Sequence, residues 1–288
     1  MRVNDFVTET FQASIRTLVE KSDSARNPKD VEALHDFRVG LRKLRSHLRS
    51  FESTLGTKWV RLQRDRLEWL DSYVRPVRDV DVLILRLNND VKQLGMEIDS
   101  EVIKSLHLSL AIASQRERAR LKIAMDSQLF SELMQELGSW TVDSIAFRKE
   151  PRILENWLKE LGRASRKEIF TIALNLNEQS PDRELHKLRI KSKRARYLSE
   201  ASISVLGQKA KRRAKEYESI QNFLGDYHDS YVMSQWLSNL ANSRSEFQPT
   251  TSVLRGWEDR HRTELRVRWH SLWSEIESGT AESSESQG

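Results

Sequence analysis

Hydrophobic residues recur along this chain at every third or fourth position, segment after segment, while alternating apolar and polar runs bounded by turns do not occur. The pattern predicts an all-α protein. Only ten glycines and five prolines are present, so few positions break a helix. Pro28 and Pro181 follow Asn27 and Ser180, a capping side chain ahead of proline in a first helical turn, and each pair predicts a helix start. After Pro28, Phe37, Leu41, Leu44, Leu48 and Phe51 share one side and predict a core face. The corresponding side after Pro181 is thinner, with Leu188, Ala195 and Leu198. Trp59, Trp69, Trp157, Trp236, Trp257 and Trp269 fall at helical spacing among leucines, which assigns them to core packing.

The opposite side of both helices is cationic. His35, Arg38, Arg42, Arg45 and Arg49 form one narrow stripe at about 100° per residue, with Lys43 beside it. His186, Arg189, Lys193 and Arg196 repeat the stripe, with Arg194 beside it, and the two copies align without a gap. Like charges stacked along one helix face repel, and a purely structural face would intersperse acids as i,i+4 partners. An extended anion is the expected missing partner. From His35 to Arg49 such a helix rises about 21 Å, enough to follow several consecutive anionic groups.

The correspondence continues downstream. The block Tyr73 to Val82, containing Arg78 and Asp79, aligns with Phe223 to Val232, containing His228 and Asp229; Arg116 and Arg118 then align with Arg260 and Arg262. Three matched blocks in the same order indicate an internal duplication. The halves are expected at roughly 1–145 and 150–277, joined near Phe147 to Pro151, with 278–288 a polar, disordered tail.

Composition narrows the function class. With 38% hydrophobic and 8% aromatic residues the chain can bury a real core, and 48 basic against 42 acidic residues give a net charge of only +6. The basic character therefore acts by placement and not by excess. Cysteine is absent, which excludes disulfides and thiolate metal sites and suits a reducing cytoplasm but is also compatible with other compartments. No window approaches 18 consecutive apolar residues, so no membrane span is expected.

These blocks resemble the CHAD family, the conserved histidine α-helical domain, over about residues 5–277. Its pattern is a His-x-x-Arg-Val-x-x-Arg-Arg-Leu-Arg helix present twice, each followed by an Arg/His-Asp element. The resemblance implies a single domain over 1–277, built of two four-helix-bundle halves with pseudo-two-fold symmetry. It also implies that the stripes face a basic groove or pore binding inorganic polyphosphate, without catalysis, in a cytoplasmic and granule-associated setting. The implied ligand-binding set is His35, Arg38, Arg42, Lys43, Arg45, Arg49, Arg78, Arg116, Arg118, His186, Arg189, Lys193, Arg194, Arg196, His228, Arg260 and Arg262. The chain departs from the pattern at Ser192 and Ala195, and at Arg75-Pro76 opposite Gly225-Asp226, where an altered local helix break is expected. Neither departure removes a cation.

Competing readings are weaker. Asp79 and Asp229 are expected to be structural, as helix caps or partners of a nearby cation. His186, His228, Asp229 and Asp259 suggest a metal phosphohydrolase, but the dense cations around His186 oppose a divalent ion, and Arg78 replaces His228 in the other half. No metal, cofactor or catalytic group is expected. Nucleic acid could use the same cations, yet aromatics for base stacking are not interleaved with the stripes. A granule-coating interaction protein is the other alternative. The histidines heading the stripes either donate to phosphate or sit neutral at a packing junction, and Arg116, Arg118, Arg260 and Arg262 either extend the track or pair with Glu117 and Glu264.

Overall fold

The structure is a computed structural model that describes residues 1–27, 30–95, 99–149 and 152–285. Among these residues the regular elements are helical: α1 (Val3–Ser22), α2 (Val31–Ser50), α3 (Thr57–Leu94), α4 (Ser100–Met125), α5 (Gln128–Gly138), α6 (Leu154–Ala173), α7 (Asp182–Ala201), α8 (Ile203–Ser243) and α9 (Gln248–Glu285). The all-α expectation is met. No helix among the described residues is long and apolar enough to cross a membrane.

The helix starts differ in detail from those expected. Asp30 caps α2, its Oδ1 accepting the Ala33 N–H at 2.9 Å, because its short carboxylate stands three residues before that unpaired donor. Asn27 instead closes the short turn Ser24–Arg26, and Pro28 lies outside the described residues. α7 does begin directly after Pro181, but the Ser180 hydroxyl accepts the Asn177 N–H at 2.9 Å and does not cap it. α3 runs through Pro76 without interruption, so the expected break is absent. Asp79 and Asp229 lie inside α3 and α8, which excludes a capping role for either. α9 continues past Ser278 and through Gly279 to Glu285; 286–288 lie outside the described residues.

The chain divides into two compact units that cut across the sequence halves. One comprises Met1–Asp79, Ala113–Ala164 and Tyr197–Lys211; the other Val80–Ile112, Ser165–Arg196 and Arg212–Gly288. The boundaries between the units fall inside helices α3, α4, α6, α7 and α8. α3 has 38 residues, or roughly 57 Å at about 1.5 Å each, longer than one small bundle needs, and α8 is kinked at Gly207.

In the first unit the predicted face Phe37, Leu41, Leu44, Leu48 and Phe51 is fully buried and packs with Phe6, Phe11, Leu67, Leu70 and Trp157. A single bridge ties Leu55 to Phe147, flanked by Gly56 N–H donating to Ala146 O at 2.6 Å and Arg148 N–H to Thr54 O at 2.8 Å. These bonds fasten the non-helical segment after α5 to the start of α3. The second unit holds two apolar clusters, one around Ile169, Leu188, Tyr217 and Leu265, the other around Leu87, Leu106, Met233 and Leu254. Trp157, Trp269 and Trp273 are core residues, whereas Trp59, Trp69, Trp236 and Trp257 are half-buried.

Candidate anion-binding site

The first stripe lies on α2, within the first unit. Burying the Phe37/Leu41/Leu44/Leu48 side turns His35, Arg38, Arg42, Arg45 and Arg49 outward, with His35 and Arg49 exposed and the others half-buried. Arg38 Nη2 lies 3.3 Å from His35 Nδ1. Partial desolvation and the Arg38 charge push the His35 pKa below its usual value, so its imidazole is neutral at neutral pH. The Arg42 guanidinium carbon sits over the Tyr197 ring, 5.8 Å from its centroid. Lys43 Nζ pairs with Glu200 at 3.1 Å. Arg45 is held by Glu68 and Asp71. Arg78, half-buried on α3, belongs to the same unit.

The second stripe lies on α7, within the second unit. Its N-terminal end is pinned by a network that sequence reasoning missed. Tyr227 Oη donates to Asp182 Oδ1 at 2.6 Å, and Arg266 donates to Asp182 Oδ1 at 2.5 Å, to Tyr227 Oη and to Ser180 O. This anchor places His228, the neighbour of Tyr227, against the head of the stripe: the His186 and His228 ring centroids are 5.2 Å apart. Burial pushes the His228 pKa down to about 4, and Arg189, His186 and Lys193 add to the depression. His186 is lowered by desolvation, Arg189 and Lys193. The structure thus brings His186, Arg189, Lys193 and His228 together. Arg194 is half-buried, and Arg196 pairs with Glu218 at 2.8 Å.

Arg45–Glu68 and Arg196–Glu218 occupy equivalent positions of the two sequence copies. In both aligned segments the last cation of the stripe is thus paired with an acid of the following helix. The outlying arginines are more firmly engaged. Arg116 and Arg120 both grip the buried Glu117, at 2.9 Å each, and Arg118 bonds Ser114 Oγ at 3.2 Å. Arg262 donates to Ser230 O and to Ser234 Oγ and pairs with Asp259, while exposed Arg260 lies over the Trp257 ring.

A second feature absent from the sequence reading is a buried ionic network in the second unit. Arg86 donates from Nε and Nη2 to Glu258, at 2.5 and 2.7 Å, and from Nη1 to Asp226 at 2.7 Å; Ser230 Oγ donates to Glu258 at 2.5 Å and His261 lies 2.8 Å from Asp226. Glu258 is completely buried. Burial alone would raise Asp226, yet His261 and Arg86 hold it down at about 2. Among the described residues no group of three or more His, Asp or Glu side chains is arranged to hold a metal ion.

Comparison with known proteins agrees with this architecture. The CHAD domain family description matches residues 9–238. Two uncharacterized proteins from Mycobacterium tuberculosis strains are each 26% identical over 211 residues, covering 72% of this chain, and the chain spans 40% of their length. The crystal structure of the CHAD domain from the plant Ricinus communis superposes with a TM-score of 0.76 at 20% identity, covering 96% of this chain and 91% of that one. A structure titled PptA from Streptomyces chartreusis gives 0.76 at 18% identity, covering 94% and 99%. At those identities the two structures establish a common fold. With the family pattern matched over most of its length, this chain belongs to the CHAD domain family.

Proposed function

We propose that the protein binds inorganic polyphosphate without cleaving it, through the stripe heads on α2 and α7. The observation that carries this reading is the group His186, Arg189, Lys193 and His228: the electrostatic influences on both histidines come from cations, with no carboxylate among them. Like charges gathered on one face of a helix repel, and a bound polyanion relieves that repulsion. Polyphosphate supplies about one charge per repeating unit on a flexible line, which suits a track of separate donors better than an enclosed pocket. Arginine forks and a lysine ammonium meet its oxygens, and the binding releases counterions. Non-catalytic storage, sensing or attachment to a polyphosphate granule all follow from such binding.

The test is equilibrium titration with long-chain polyphosphate and with DNA of equal charge, at two salt concentrations. Tight polyphosphate binding that weakens steeply with salt, and that is lost in folded Arg38→Ala/Arg42→Ala/Arg189→Ala/Lys193→Ala, supports the reading. Equal affinity for both polymers, or an unaffected quadruple variant, rejects it.

A further inference from the structure

On the polyphosphate reading of the stripes, we propose that Tyr197 is a positioning residue for the first stripe: its ring is the shelf that fixes Arg42 and Lys43 in the orientation in which they meet the polyanion. Tyr197 belongs to the first unit although its helix, α7, carries the second stripe. It is 2% exposed, with Arg42 Cζ and Lys43 Nζ over its ring at 5.8 and 5.7 Å from the centroid. The shelf is itself clamped from α2. His47, one turn beyond Lys43, has its Nε2 3.3 Å from Tyr197 O and its ring edge-on at 6.4 Å. Glu200, one turn beyond Tyr197, pairs with Lys43.

Arg42 shows what the shelf does. Its Nε is buried and has no hydrogen-bond partner among the described residues. A desolvated guanidinium N–H without an acceptor is costly, and the electron-rich face of an aromatic ring offsets part of that cost. With Nε withdrawn, Arg42 offers the anion its terminal nitrogens, already oriented before binding. Less side-chain freedom then remains to be lost when phosphate arrives. The residue matched to Tyr197 in the first copy is Ser46, which has no ring. The duplication is thus asymmetric at this point.

The experiment compares wild type with Tyr197→Phe, Tyr197→Leu and pentafluorophenylalanine incorporated at 197. The last keeps a ring of similar size and reverses its electrostatic polarity, so packing is retained if the leucine variant fails to fold. Each is titrated with long-chain polyphosphate, alone and in an Arg42→Ala/Lys43→Ala background, with folding checked by thermal melts. The expected result is near-wild-type affinity for phenylalanine, about fivefold weaker binding for the fluorinated ring and for leucine, and no further loss in the double-alanine background. Fluorinated protein that binds as tightly as wild type, or a loss that persists in that background, makes Tyr197 a packing residue and overturns the role. Wild type that does not bind polyphosphate at all overturns the functional reading itself, a different outcome from wild-type binding with unaffected variants.

Discussion

The imidazole rings of His186 and His228 lie side by side with centroids 5.2 Å apart and planes tilted by 43°, one from the head of the α7 stripe and one from α8. Burial, Arg189, His186 and Lys193 bring His228 down to about 4, and His186 is lowered as well, so both are neutral in the unliganded protein at neutral pH. A polyanion laid across the pair favours their charged forms. Affinity for polyphosphate should therefore rise as pH falls from 8 toward 5, with proton uptake on binding. Calorimetry in buffers of different ionisation enthalpy measures that uptake. A His186→Gln/His228→Gln variant should lose most of the slope, and an unchanged slope would remove the pair from the site.

The same depression has an opposite effect on the unliganded fold. The His228 pKa is below its unfolded value of 6.5, so its contribution to stability is present above pH 6.5 and is lost as pH falls through 4. Thermal melts between pH 4 and 7 should show wild type losing more stability on acidification than His228→Gln.

Asp90 titrates in the other direction. Burial, with the adjacent Glu258 carboxylate, raises it from 3.8 to about 8 against the opposing influence of Arg86 and Trp257. Its contribution is complete below about pH 4 and is lost as pH rises through 8. Between pH 7 and 9 the wild-type melting temperature should fall, and Asp90→Asn should flatten that decline.

Arg86 is a guanidinium partner of the wholly buried Glu258. Removing one member of a buried pair leaves the other uncompensated, so Arg86→Met should destabilise by about 3–5 kcal/mol in denaturant unfolding. The double change Arg86→Met/Glu258→Gln should recover much of the loss.

Gly207 takes φ 59° and ψ −139° inside α8, where the helix is kinked. A Cβ there meets no atom within 4 Å, so the cost of Gly207→Ala is conformational and not steric crowding by neighbours. Stability should drop by about 1–3 kcal/mol, as read from unfolding curves. Gly225→Ala, at a helical position of α8 that is equally open, should be neutral or slightly stabilising.

The sequence by itself determined the helical class, the core face from Phe37 to Phe51 and the two cationic stripes, because all three are properties of a single helix and its 3.6-residue period. The period says which side of a helix is polar; it does not say what stands opposite. Tertiary structure alone decided that Arg45 meets Glu68 and Asp71, that Arg262 is engaged by Ser230 and Ser234, and that Arg42 rests on Tyr197. The Arg86–Glu258 pair is separated by 172 residues and leaves no local pattern. The units themselves were invisible for a related reason: a helix as long as α3 looks the same in sequence whether one core buries it or two. Local periodicity encodes burial, whereas the pairing of charges is set by which distant helices the packed cores bring together.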